Sequence, residues 1–134
     1  MEEVSAAVPY LAVAYLLATG GAFCAFGLQG ALWPSTVASK LLLDVPHPAG
    51  ITGIRAMYGG FQLGIGGTLI FFALARATLA TGLIVAAIVE VALVITRGYG
   101  MVADGGTLRL HMSYLVLEVA AFVAACILLF LMEA

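Results

Sequence analysis

The sequence predicts an all-α integral membrane protein, a four-helix bundle in a single domain over residues 1–134. Hydrophobic residues make up 64% of the chain and charged residues only 9%, which is far from the composition of a soluble globular domain. Four apolar segments each approach the roughly 20 residues that cross a hydrocarbon core. These segments use almost all of the sequence, so we expect function to lie in the membrane or at its surface.

The predicted spans cover residues 8–32, 54–75, 79–96 and 110–132. The first follows Glu2 and Glu3 rather than the basic region of a signal peptide, so we expect it to be retained. Three prolines interrupt the connection to the second span, where residues 36–45 are predicted to form a short amphipathic surface helix. The short turn at 76–78 makes the second and third spans antiparallel neighbours. A glycine-rich connection, residues 97–108, is predicted before the fourth.

The basic residues predict the orientation of the chain. Lys40, Arg97 and Arg109 fall in the first and third connections, against Arg76 on the opposite side. Because basic loops stay in the cytoplasm, both termini are predicted outside. The net charge of −2 and the lack of a basic cluster argue against nucleic acid as a partner.

Polar side chains gather in one half of the predicted bilayer, the half next to the first and third connections. At about 1.5 Å per residue, this half contains Gln29, Arg55, Gln62, Glu90, Arg97 and Glu118. A charge at the centre of a span costs roughly 2.5–3.5 kcal/mol and is tolerated chiefly when it is paired or hydrated. We therefore expect Arg55 and Arg97 to neutralise Glu90 and Glu118.

Helical periodicity of about 100° per residue gives each span one polar stripe. In the second span the stripe is Arg55, Tyr58, Gly59, Gln62 and Gly66. In the third, Glu90 and Arg97 share a face with Ala86 and Ala87. In the fourth span the stripe is His111, Tyr114, Glu118, Phe122 and Ala125. In the first span it is Tyr15, Ala18, Ala22, Ala25 and Gln29.

A glycine ridge lies opposite the polar stripe of the second span. Its members are Gly53, Gly60, Gly64 and Gly67. Because glycine permits close approach of helices, Gly60, Gly64 and Gly67 are predicted to pack against the first or fourth helix or another subunit. If the ridge faces outward, a homo-oligomer or docking to a larger membrane complex follows.

An ordered set of motifs carries a family resemblance. Arg55-x-x-Tyr58-Gly59-Gly60 is followed by Arg97, by Asp104-Gly105 and by Glu118. With this set the chain resembles a bacterial four-transmembrane family catalogued as domain of unknown function 4345, and more distantly DoxX-type four-helix proteins. The resemblance implies a four-helix bundle in a bacterial inner membrane and singles out these residues, but it implies no established activity. Glu90 lies outside the family pattern.

The placement of histidine and acidic residues argues against the common cofactors. His47 and His111 lie in or beside loops without a second histidine on a facing stripe, so haem is not expected. Asp104, His111 and Glu118 lack the spacing of a metal site, and a capping role for Asp104 is favoured over metal binding. A nucleophilic hydrolase motif is absent.

Three functions stay open from the sequence. The first is binding of an amphipathic ligand, lipid-like or quinone-like, in a polar pocket within one leaflet. There Arg55 and Arg97 would take an anionic or carbonyl group, and Tyr58 and Gln62 would orient it. The second is an accessory or assembly subunit whose charges only lock the bundle. The third is a membrane-embedded acid/base enzyme, such as an isomerase, using Glu90 or Glu118.

Overall fold

A computed structural model describes residues 2–105 and 109–133, and these are helical almost throughout, with no strand among them. The helices are α1 (Glu2–Leu32), α2 (Pro34–Lys40), α3 (Pro48–Ile54), a π-helical segment (Arg55–Phe61), α4 (Gln62–Leu74), a 3₁₀ turn (Arg76–Thr78), α5 (Leu79–Ala103) and α6 (Arg109–Glu133). Four stretches are long and apolar enough to cross a membrane: Ala6–Leu32, Pro48–Leu74, Leu79–Ala103 and His111–Glu133. The predicted all-α membrane class with four spans is confirmed.

The second and third spans are longer than the sequence predicted. The second begins at Pro48, which occupies the first helical turn, while the His47 Nδ1 accepts the Ala49 N–H at 3.1 Å as an N-cap. The third continues through the predicted connection to Ala103. It ends where Gly105 takes a φ of 67°, the left-handed conformation that stops helices.

The first connection forms helix α2 and then a tight turn. The predicted amphipathic helix is present only as far as Lys40. Beyond it, the Leu43 N–H donates to the Ala38 carbonyl at 2.9 Å and the Leu42 N–H to the Ser39 carbonyl at 3.1 Å. This is the Schellman arrangement of a helix end, and it places Leu42 at a φ of 57°, where glycine is the usual residue.

The chain divides into two compact units. The first contains Met1–Leu16 and Phe72–Ala134, and the second contains Leu17–Phe71. In the first unit, buried leucines and alanines of α1, α5 and α6 form the core, among them Ala12, Leu16, Leu83, Ala86 and Ala125. Gly82 allows close packing there, because an added Cβ would lie 2.6 Å from Phe72 and 2.9 Å from Leu16.

The second unit packs α1 against the second span through glycines on both sides. A Cβ added at Gly27 would lie 2.7 Å from the Leu63 nitrogen, and one added at Gly66 would lie 2.6 Å from the Gly20 carbonyl oxygen. Gly30 approaches the backbone carbonyl of Tyr58 more closely still. The two backbones are therefore in direct contact, the geometry that small residues allow in membranes.

One prediction about these helix faces is wrong and one stays open. Gly60, Gly64 and Gly67 do not pack within the described chain, since an added Cβ at each would meet nothing within 4 Å, so packing of this ridge against another subunit stays a prediction. Ala18, Ala22 and Ala25 of the predicted α1 stripe are exposed, whereas Gly20, Gly27 and Gly30 are buried, and here the prediction is wrong. The packed face of α1 is rotated by about one residue from the predicted one, because the prediction followed polar Gln29 and Tyr15 rather than the glycines.

Candidate functional site

Arg97 of α5 and Glu118 of α6 form a two-point ion pair. The Arg97 Nε donates to Glu118 Oε2 at 2.8 Å, and an Arg97 terminal nitrogen donates to Oε1 at 2.5 Å. The two side chains are only 23% and 11% exposed. A planar guanidinium matches a carboxylate in this way, so the charges neutralise each other and fix one helix against the other.

Two further α6 side chains complete the cluster around Arg97. The second terminal nitrogen of Arg97 lies 3.2 Å from the His111 Nδ1, and the guanidinium carbon lies 5.3 Å from the centre of the Tyr114 ring. Because arginine only donates hydrogen bonds, the His111 Nδ1 must accept, which leaves any ring proton on Nε2. The ring of Tyr114 adds a cation–π contact. We call Arg97, His111, Tyr114 and Glu118 the charge cluster.

The predicted stripe of α6 matches the observed burial. His111, Tyr114, Glu118 and Phe122 are half-buried and Ala125 is fully buried, whereas the positions between them are mostly exposed. The cluster therefore arises from regular helix geometry, in which residues three, four and seven apart share a face.

Glu90 shares the α5 face with Arg97 but does not take part in the pair. It is 4% exposed and is the one buried polar or charged residue in the described part of the chain. Ala86 and Leu83, one and two turns earlier on α5, are buried as well. Within residues 2–105 and 109–133, no hydrogen bond or ion pair to the Glu90 carboxyl occurs.

Arg55 binds the end of α1 in the second unit. An Arg55 terminal nitrogen donates to the backbone carbonyl of Ala31, one residue before α1 ends. The last carbonyls of a helix lack partners within it, and a cation there is favoured by the helix dipole. This contact gives a structural reason for an arginine at the start of an apolar span. Its pairing with Glu90 or Glu118 stays a prediction.

The π-helical segment changes which residues of the second span share its buried face. Ile54 and Gly59 are buried five residues apart, and the buried face then continues at Gly66 with normal helical spacing. A π turn contains about one extra residue, so Arg55 and Tyr58 do not share the buried face of Gly59. Tyr58 is 39% exposed, and Gln62 is half-buried.

Asp104 lies at the carboxyl end of α5. Its backbone N–H donates to the Gly100 carbonyl at 2.9 Å, which makes it the C-cap residue, and its side chain is exposed. The structure brings His111 to Arg97 but does not bring Asp104 into the charge cluster.

A cleft in the second unit was not predicted from the sequence. It has a volume of about 450 Å³, is shallow and wide open to the surroundings, and is lined by Ser35, Ala38, Ser39, Leu42, Leu43, Asp44, Val45 and Ile51. Seven of these eight residues lie between the end of the first apolar stretch at Leu32 and the start of the second at Pro48, and Ile51 lies in the first turn of the second. The sequence feature that could have indicated it is the run Leu41-Leu42-Leu43-Asp44 after a short predicted helix. We call this cavity the loop-one cleft.

The helices and the charge cluster together define a class of protein: a four-span membrane protein with a half-buried arginine–glutamate pair that joins its last two helices. A family model described as "Domain of unknown function (DUF4345)" matches residues 11–131. The match covers nearly the whole chain, which belongs to this family. Comparison with curated proteins and with solved structures finds no match.

Proposed function

We propose that this protein is a bacterial inner-membrane protein, with its termini outside, that binds a lipid-like amphipathic molecule at the loop-one cleft. The observation that carries the proposal is the cleft itself. Its volume of about 450 Å³ falls within the roughly 300–1,000 Å³ of small-molecule sites. Its position at the ends of two spans suits a ligand with one end in water and the other in hydrocarbon.

The lining of the cleft indicates which headgroup it prefers. Ser35, Ser39 and Asp44 supply its polar side, and these side chains have no hydrogen-bond partner among the described residues. A carboxylate only accepts hydrogen bonds. A headgroup with hydroxyl or ammonium donors is therefore favoured over a quinone, whose carbonyls only accept.

The apolar side of the cleft supports the same ligand class. Leu42 is 76% exposed and Leu43 is 46% exposed, next to the polar lining. Leu42 also holds a left-handed backbone conformation, which costs a non-glycine residue about 1–2 kcal/mol. Strained residues are concentrated at functional sites, and this one presents a leucine where an acyl chain would lie.

The charge cluster supports a structural role better than ligand capture. The guanidinium of Arg97 is engaged by Glu118, His111 and Tyr114. A ligand taken by Arg97 would have to displace one of them. We therefore assign ligand binding to the loop-one cleft and assign helix locking to the cluster.

Lipid retention tests the proposal. The protein is exchanged into nanodiscs of phosphatidylethanolamine and phosphatidylglycerol, extracted with mild detergent, and measured by native mass spectrometry. Replacing Ser35 and Ser39 by Ala and Asp44 by Asn removes the polar lining, and we expect retained lipid to fall by about tenfold or more, the equivalent of one or two hydrogen bonds.

The matched control is Ser113→Ala, because that hydroxyl donates to the Arg109 carbonyl of its own helix, outside the cleft. We expect this variant to retain lipid like the wild type. Equal lipid retention by the triple variant and the wild type would overturn the proposal, as would preferential retention of an added ubiquinone.

A second candidate function, assembly with other membrane proteins or with copies of itself, is favoured by the glycine ridge. Gly60, Gly64 and Gly67, which follow one another at helical spacing, leave open space on one side of the second span. An uncovered glycine face permits a further helix to approach. The two functions are compatible, since the ridge residues do not line the cleft.

A further inference from the structure

Glu90 is a carboxyl group that neither the charge cluster nor the loop-one cleft uses. It is buried to 4% exposure in the middle of a 25-residue span. Among the described residues no donor or cation contacts its carboxyl. An acidic side chain in this setting is rare in membrane proteins and commonly marks a functional position.

In the three helices that form the core of this unit, Arg97, His111 and Tyr15 are each bound to a partner other than Glu90. On α5, Arg97 lies seven residues on and is bound by Glu118. On α6, Glu118 belongs to that pair and His111 contacts the same guanidinium. On α1, the Tyr15 hydroxyl donates to the Ala121 carbonyl at 2.9 Å. Glu118 is also a like charge, so it opposes a second ionised carboxylate nearby.

We propose that Glu90 is a proton-binding site within the membrane, its carboxyl present as the neutral acid. An unpaired carboxylate in an apolar interior is far more costly than the neutral acid, and the neutral acid needs no counterion. A proton also fits the burial, because it adds almost no volume to a side chain that is 4% exposed. This inference does not depend on lipid binding at the loop-one cleft.

The neutral acid has a reactivity that an ion-paired carboxylate lacks. A hydrophobic carbodiimide such as dicyclohexylcarbodiimide accepts the carboxyl proton on one nitrogen, and the carboxyl oxygen bonds to its central carbon. The acyl group then migrates to nitrogen as a stable N-acylurea. No atom leaves, so the protein gains the mass of one whole reagent molecule.

Glu118 is the matched control inside the same protein, because its side chain is only 11% exposed but forms an ion pair with Arg97. Wild-type protein in nanodiscs is treated with the carbodiimide, digested and mapped by mass spectrometry. We expect the adduct on Glu90 at tenfold or greater excess over Glu118. In Arg97→Gln, Glu118 loses its partner and should become labelled as well. Equal labelling of the two glutamates in the wild type, or a preference for Glu118, would overturn the proposal.

Infrared spectroscopy provides a test that does not require reagent access. A neutral carboxylic acid has a C=O stretch separate from the carboxylate bands. We expect this band in the wild type, its loss in Glu90→Gln, and its persistence in Glu118→Gln. A spectrum unchanged by Glu90→Gln would contradict the proposal even if the carbodiimide reacted poorly.

Discussion

The two units hold their helices together by opposite means. In the first, α5 and α6 are joined by large polar side chains, with Arg97 bound to Glu118 and His111. In the second, α1 meets the second span where side chains are missing, at Gly27, Gly30 and Gly59. Both partners of an ion pair can be replaced together by neutral residues. At a contact between two backbones, any residue larger than glycine would clash. The two regions should therefore respond differently to mutation.

The largest effect is expected at the glycine contact. Gly27→Leu would force a side chain into the backbone at Leu63, and overpacking of a tight contact costs about 1–3 kcal/mol, occasionally more. Because backbone cannot move aside as a side chain does, we expect a loss at or above the upper end of this range. Unfolding in mixed micelles, followed by circular dichroism, measures it.

Gly21→Leu is the control for that substitution, since an added Cβ at Gly21 meets nothing within 4 Å. It lies on the same helix and introduces the same side chain. Equal destabilisation by both variants would show that the effect comes from adding a large side chain anywhere on this helix and not from the contact with Leu63, since leucine has a higher helix propensity than glycine.

The second effect concerns the ion pair. Arg97→Gln or Glu118→Gln alone leaves one half-buried charge without its partner. Such a change costs about 3–5 kcal/mol at a fully buried site, and we expect a smaller loss here because the two side chains are still 23% and 11% exposed. Replacing both should cost less than the two single losses added together. A double-mutant cycle read by unfolding free energy measures the coupling.

Small and additive losses in that cycle would mean that the pair does not lock α5 to α6. The same variants can be examined for retained lipid. Loss of lipid with normal stability would return ligand binding from the loop-one cleft to the charge cluster.

The contrast between the units also explains what the sequence could predict. On α6, the regular spacing of His111, Tyr114 and Glu118 placed three side chains on one face, and they lie there. Because α6 is a regular helix with few polar residues, few other arrangements of its polar face were possible. The class of the protein and its four spans follow from the length and apolarity of the segments.

The second unit was harder to predict for two physical reasons. The π-helical segment adds about one residue to a turn, so counting at 100° per residue placed Arg55 and Tyr58 on the buried face of Gly59 and Gly66. Small residues also have no pattern that separates packed from open positions. Gly60 and Gly64 resemble Gly59 and Gly66 in sequence, yet only the latter two have close neighbours in the described chain.

The third effect should be smaller and lies at the end of α1. Arg55→Gln keeps a donor but removes the charge that faces the Ala31 carbonyl. A cation at a helix end contributes about 0.3–1 kcal/mol, and Arg55 is exposed, so we expect a loss at the low end. Arg55→Lys, which keeps the charge, is the comparison. A loss as large as that of Arg97→Gln would indicate that Arg55 neutralises a buried carboxylate.

The smallest effect on unfolding, and the most specific one, is expected at the glycine ridge. Gly64→Leu places a side chain where an added Cβ meets nothing within 4 Å, so the free energy of unfolding of the monomer should change little. If the ridge binds a second copy of the chain, the same leucine would block close approach of the partner helix. Size measurement in mild detergent, with Gly21→Leu as the control, should then show a shift from oligomer to monomer for Gly64→Leu only.

An unchanged oligomer would place the subunit contact on another face, and a wild-type monomer would leave the ridge to a different membrane partner. A clear loss of monomer stability would instead mean that Gly64 packs within its own chain, against the contrast drawn between Gly64 and Gly66.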